Sequence, residues 1–208
     1  MSKPSIECRT DGPYLVKDLD AFANSKGEPI ACKPVMALCR CGGSATKPLC
    51  DGTHKKNGFS GARQAQPATQ RDAYRGKKIT IYDDRAICAH SGRCSDNLAA
   101  VFKYGSEPWI DADGASVEAI IEAVRQCPSG ALGYALDDVE GAPQQRAPGI
   151  TVTKVGPYAV VGEIALTGQA TDAIAATECY TLCRCGGSKN KPFCDGTHWS
   201  IGFRDDKN

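Results

Sequence analysis

The 208-residue sequence predicts an α+β protein: two β-rich units, packed as an intramolecular pseudo-two-fold pair, and a small α+β middle domain. Three observations predict this. The chain matches itself without gaps at an offset of 144 residues, so that Ile6 falls on Ile150, Gly12-Pro13-Tyr14 on Gly156-Pro157-Tyr158, Cys39 on Cys183 and Gly58-Phe59 on Gly202-Phe203. Two polar, proline-containing stretches, 62–76 and 137–149, have the composition of linkers. The segment between them alternates strand and helix patterns, whereas each copy reads as strands ahead of a cysteine-rich loop. The boundaries are 1–61 for the first unit, 62–76 for a linker, 77–136 for the middle domain, 137–149 for a second linker and 150–208 for the second unit.

In the first unit IECRTDGPYLVKD reads as strands, and in the second ITVTKVGPYAVVGEIAL does, each with a turn signal at the shared Gly-Pro. A repeat of about 56 residues cannot bury a full hydrophobic face alone, which is why the two copies are expected to pack on each other. One chain, as a monomer, would then act as a pseudo-dimer. The middle domain reads KKITIYDD as a strand, AICAHSGRC as a loop and SDNLAAVF as a short helix. PWID follows as a strand, SVEAIIEAVRQ as a helix and ALGYALD as a strand. Val117, Ile120, Ile121 and Val124 recur at i, i+3, i+4 and i+7, the apolar stripe of a packed helix.

Composition narrows the functional classes. A formal charge of +1 provides no basic field for nucleic acid. No apolar run approaches the roughly 18 residues of a membrane span, and MSKPSIECRTDG lacks the regions of a signal peptide. The expectation is a cytoplasmic protein without a membrane or nucleic-acid partner. Of the twelve cysteines several cluster as C-x-C with a histidine downstream, and two of the three histidines, His54 and His198, close the two copies of one loop. In a reducing compartment that pattern indicates metal rather than disulfides.

The loop reads CRCGGSATKPLCDGTH over 39–54 and CRCGGSKNKPFCDGTH over 183–198. On extended backbone, thiolates two residues apart share a face, with Cα atoms about 6.5–7 Å apart, so one metal atom can take Cys39 and Cys41. Cys50 and His54 stand at i and i+4, which stack on one side of a helical turn and suit a second metal atom. If that turn opens a helix, its positive end faces the site, and Arg40, Lys47, Arg184 and Lys191 add compensating charge. Soft thiolates accept zinc or an iron–sulfur cluster, and C-x-C-x₈-C-x₃-H departs from the spacing of zinc fingers.

C-x-C, Ser44 and Ser188, the proline before the third cysteine and Cys-Asp-Gly-Thr-His together resemble the CDGSH iron–sulfur domain family. The resemblance covers the two loop units, roughly half the chain. It implies a [2Fe–2S] cluster in each copy: Cys39 and Cys41 on one iron with Cys50 and His54 on the other, and likewise Cys183 and Cys185 with Cys194 and His198. A single neutral imidazole makes the ligand set less negative, which sets the reduction potential above the roughly −400 mV of all-cysteine plant-type ferredoxins. Protonation of that imidazole competes with iron, so loss of the cluster in mild acid is expected. A structural zinc knuckle is the alternative.

Cys88, Cys94 and Cys127-Pro128 form C-x₂-S-x₂-C with a distant C-P, and the order of elements resembles a single-cluster ferredoxin in which Ser91 replaces a cysteine. Three thiolates suffice for [3Fe–4S], or for [4Fe–4S] with Ser91 or His90 as a further ligand; a degenerate domain without metal is the other reading. Cys8, Cys32 and Cys179 fall outside any ligand pattern and face apolar counterparts Val152, Ala176 and Val35, which predicts core packing. Tyr14, Tyr158, Trp109 and Trp199 read as packing residues, with electron relays as the alternative, and Trp199 is placed to shield the second site where Lys55 stands at the first. No hydrolytic, phosphoryl-transfer or nicotinamide motif is present, so no catalytic residue is assigned. The function expected is electron transfer to an unidentified redox partner, with cluster delivery to an apo-acceptor, cluster storage, redox or pH sensing, and a zinc-bearing interaction protein as alternatives.

Overall fold

The computed structural model describes residues 3–64, 71–171, 178–205 and 208. The first unit contributes β1 (Ser5–Cys8), β2 (Tyr14–Lys17), β3 (Phe22–Ala23) and β4 (Val35–Leu38). The middle domain contributes β5 (Arg71–Arg75), β6 (Thr80–Asp84), α1 (Arg93–Asn97), α2 (Val117–Arg125), β7 (Leu132–Leu136) and β8 (Val139–Glu140). The second unit contributes β9 (Gly149–Val152), β10 (Tyr158–Val161), β11 (Ala165–Gly168), β12 (Cys179–Leu182) and α3 (Thr197–Ser200). The chain is thus β-rich with few helices.

The two units exchange strands. One sheet runs β11-β1-β2-β4 and the other β12-β10-β9-β3, so each takes its parallel edge strand from the opposite unit. Ile6 pairs with Leu166 in the first sheet, and Ile150 pairs with Phe22 in the second. These are the same repeat positions read in both directions. Alternation along the strands puts Ile6, Tyr14, Val16, Met36 and Leu38 of one unit, and Ile150, Val152, Tyr158, Val160 and Leu182 of the other, into one shared core. This is how two short units obtain a face that neither could bury alone.

The middle domain has its own core. Its sheet runs β5-β6-β7-β8, and α2 lays Ile120 and Val124 against it. Ser116 caps α2 by accepting from the Ala119 amide. Several sequence expectations change here. Strand β5 lies in the segment read as the first linker and β8 in the second, because both are solvent-facing edges whose polar residues carry no alternation. The short helix covers Arg93–Asn97 rather than SDNLAAVF, since it starts at the left-handed Gly92 and ends where Leu98 turns into the core. PWID supplies only an isolated bridge, Phe102 to Ile110. Cys8 is buried and Cys179 half-buried, but Cys32 is exposed, as is Val35, so core packing fails for Cys32. Ala176 lies outside the described residues.

No helix among the described residues is long and apolar enough to cross a membrane.

Candidate metal centres

Each cysteine-rich loop leaves the last strand of its unit and returns along it. Cys39 follows β4, and its amide donates to the Pro48 carbonyl at 2.8 Å, while the Cys50 amide donates to Ala37. Cys183 repeats this with Pro192, and Cys194 with Thr181. The two arms of the loop are thereby held side by side, with one donor pair at each end.

Within each pair the spacing suits one metal atom. The sulfurs of Cys39 and Cys41 are 3.9 Å apart, and those of Cys183 and Cys185 are 3.8 Å apart. Cys50 Sγ lies 3.4 Å from His54 Nδ1, and Cys194 Sγ lies 3.4 Å from His198 Nδ1. A tetrahedral metal with bonds of about 2.3 Å to sulfur and about 2.0 Å to imidazole spaces such donors about 3.8 and 3.5 Å apart. Among the described residues no three candidate side chains converge on a single metal ion. Each loop thus offers one pair of sulfurs and one sulfur–imidazole pair.

The i, i+4 spacing predicts that Cys50 and His54 stack on one helical turn, and they do not. Only Thr53–Lys55 forms a 3₁₀ turn in the first loop and Thr197–Ser200 a short helix in the second, so each third cysteine precedes the helical residues. What holds cysteine and histidine together is the aspartate between them. Asp51 accepts from the amides of Ala45 and Thr53, and Asp195 from those of Lys189 and Thr197. Bonds from Thr53 and Ala45 hold the Asp51 carboxyl well below its ordinary range. Burial works to raise Asp195, yet its bonds from Thr197 and Lys189 keep it lowered. Ser44 and Ser188 brace the same loops by donating to the carbonyls of Leu49 and Phe193. The repeated Asp and Ser were visible in the sequence, but only as pattern.

The basic residues do not act as expected either. Arg40 is buried and donates to the carbonyls of Arg9 and Gly61; Arg184 donates to those of Gly156 and Thr153 and pairs with Asp205. Lys47 and Lys191 each donate back into their own loop, to Ser44 and Ser188. Alternation along C-x-C turns the arginine away from the two sulfurs, into packing.

Burial sets the thiol chemistry. It pushes Cys39 up to about 11 and Cys194 further, and a shared hydrogen bond with Cys185, together with burial, raises Cys183. Cys39, Cys183 and Cys194 thus keep their protons and react poorly unless a cation displaces them, whereas the bond from Cys183 lowers Cys185 and makes it the readier thiolate of its pair. Burial also lowers the buried His198, favouring the neutral imidazole that ligates.

The loops are tied to each other across the units. Tyr14 Oη points its single proton between the carbonyls of Cys183 and Pro192, at 2.9 and 3.0 Å, and Tyr158 Oη does the same with Cys39 and Pro48, both at 2.9 Å. Burial pushes both phenols well above their ordinary range, so they remain donors. A Cβ on Gly42 would stand 2.4 Å from the Cys185 carbonyl oxygen, and one on Gly186 would stand 2.6 Å from that of Cys41. Both glycines also have positive φ, which makes glycine obligatory on two grounds. Sequence reading placed these tyrosines in packing and missed their bonds to the opposite loop.

In the middle domain Cys88, Cys94 and Cys127 wall one small cavity, together with Ser91 and the buried Asp83. Burial pushes Cys88 up to about 11 and raises Cys94, with Cys127 adding to both. His90 is turned away: its ring packs where a Cβ on Gly196 would fall, against the second loop. The three thiols thus border one cavity with Ser91, without converging closely enough to enclose a single ion, and His90 lies elsewhere.

Comparison with known proteins agrees with this geometry. The family described as iron-binding zinc finger of CDGSH type matches residues 11–55 and 155–199, and the family described as divergent 4Fe-4S mono-cluster matches residues 74–137. The uncharacterized protein YjdI of Escherichia coli strain K12 is 41% identical over 61 residues, covering 29% of this chain and 80% of its own, as is the YjdI of strain O157:H7. No solved structure matches significantly. With paired donors in two equivalent loops and three thiols between them, the chain is an iron–sulfur protein of the CDGSH family, carrying two CDGSH domains around a divergent ferredoxin segment.

Proposed function

We propose that the chain is a one-electron carrier rather than an enzyme. In this reading Cys39, Cys41, Cys50 and His54 hold one [2Fe–2S] cluster, and Cys183, Cys185, Cys194 and His198 hold another. Cys88, Cys94 and Cys127 hold a third centre of the [4Fe–4S] or [3Fe–4S] type. The observation that carries the reading is the equal spacing of the donor pairs in both loops, 3.9 and 3.4 Å in the first and 3.8 and 3.4 Å in the second.

When bound, such a cluster supplies one-electron redox chemistry with little change of geometry. The residues around it serve that requirement. Asp51 and Asp195 fix the distance from cysteine to histidine, and the crossed tyrosine bonds hold each loop against the other unit. The reciprocal strand exchange supports a pseudo-two-fold relation, in which one monomeric chain does the work of a dimer. We place the protein in the cytoplasm, with a redox protein or an apo-acceptor as its partner.

Film voltammetry tests the reading. Repeated one-electron cycling above roughly −400 mV without loss of signal is expected. Destruction of the clusters on the first reduction would refute a carrier and leave cluster delivery.

A further inference from the structure

We propose that the middle domain caps the second CDGSH loop, so that the first loop is the one from which a protein acceptor takes a cluster and the second retains its own. This rests on the reading that both loops hold clusters, and it adds donation of the first loop's cluster to the carrier role.

The two loops are near-identical in sequence and differ in cover. In the second loop Cys194 is 2% exposed and His198 is 4% exposed, whereas Cys50 and His54 are both half-buried. Three contacts tie the loop to the middle domain, although Trp199 keeps its outer face exposed. Asn190 Nδ2 donates to the Ala86 carbonyl at 2.6 Å, and Trp199 Nε1 donates to that of His90 at 3.1 Å. The His90 ring lies against Gly196, where a Cβ would stand 2.5 Å from Cδ2. Cys179, at the base of the same loop, also touches the Cys127 carbonyl.

Among the described residues the first loop has none of these. Thr46 replaces Asn190 and is exposed, Lys55 replaces Trp199, and a Cβ on Gly52, the counterpart of Gly196, would meet nothing within 4 Å. The segment leaving the first unit adds to the asymmetry, since Arg63 and Gln64 donate to the carbonyls of Lys191 and Lys189. His198 still lines a cleft of about 590 Å³ between the second unit and the middle domain. That opening admits small molecules, whereas Cys50 and His54 of the first loop are half-buried and have no such contacts among the described residues.

The test uses the full chain in two forms. Cys183→Ser with Cys185→Ser leaves the first loop; Cys39→Ser with Cys41→Ser leaves the second. Each is mixed with a plant-type apo-ferredoxin, and transfer is followed by the visible circular dichroism of the acceptor. The first loop is expected to transfer at least about tenfold faster, the scale of two lost hydrogen bonds. Adding Asn190→Thr and Trp199→Lys to the second-loop form should bring its rate towards that of the first. Equal rates in the parent pair, or no change on adding the two substitutions, would overturn the cap.

Amide hydrogen exchange on the metal-free full chain keeps the two readings separable. Residues 194–199 are expected to exchange more slowly than 50–55, and equal exchange would count against the cap. If neither form holds iron and sulfide, the cluster reading fails, and the amide comparison still decides whether the cover exists.

Discussion

Tyr14 and Tyr158 meet edge to face with ring centroids 6.1 Å apart, and each donates its hydroxyl across the unit boundary to the loop of the other. Removing one hydroxyl takes the side-chain donor from the cysteine carbonyl of the opposite loop, while the neighbouring proline carbonyl keeps its bond from the cysteine amide. Tyr14→Phe should therefore weaken the second site, and Tyr158→Phe the first, each costing about 1–2 kcal/mol in urea unfolding. The effects are expected to cross between units. If Tyr14→Phe instead speeds iron loss from Cys39 and Cys41, the assignment of the bonds is wrong.

The aspartate of each loop acts as a bracket rather than a ligand. Asp195→Ala releases the amides of Lys189 and Thr197 and should cost about 1–2 kcal/mol while accelerating iron loss from the second loop. Asp51→Ala should accelerate loss from the first. Far-ultraviolet circular dichroism should stay unchanged in both, and a collapse of strand signal would show that the aspartate supports the fold instead.

Asp83 gives the middle domain a pH dependence. Burial pushes its carboxyl up from 3.8 to about 6, against the pull of Arg85 Nε at 2.8 Å. Because the folded value lies above the unfolded one, the native state holds a proton that the unfolded chain releases between about pH 4 and 6. Stability of the domain should thus fall by about 1–3 kcal/mol as pH rises through that window. Unfolding followed by Trp109 fluorescence checks this, and Asp83→Asn should flatten the slope. A stability that rises over the same window would reverse the argument.

Cys32 is exposed, while the other described cysteines are buried or half-buried. Iodoacetamide at pH 8 should modify one thiol quickly, and Cys32→Ser should abolish that phase. Cys8, which burial pushes up to about 12, should resist. Rapid modification of Cys8 would mean that the shared core opens readily.

The ligand positions were legible because cysteine and histidine spacing is local, and the strands ahead of each loop were legible from the repeated Gly-Pro-Tyr turn. Strand exchange was not. β3 is two residues long and carries no periodicity, so nothing marks Phe22 as the partner of Ile150. β5 was hidden for another reason, since RDAYR is a polar edge that reads as linker. The unequal cover of the two loops was unreadable except at Trp199 and Lys55, because burial of His198 comes from residues about a hundred positions away.

The most direct test of the central claim, that paired donors hold two-iron clusters, is the content of iron, acid-labile sulfide and zinc per chain after anaerobic purification. Expected are about eight sulfide with seven or eight iron, four of each from the two CDGSH loops and the rest from a [3Fe–4S] or [4Fe–4S] centre in the middle domain. Zinc near two atoms per chain with no sulfide, after expression in iron-replete medium, would contradict it and leave the loops as structural metal knuckles.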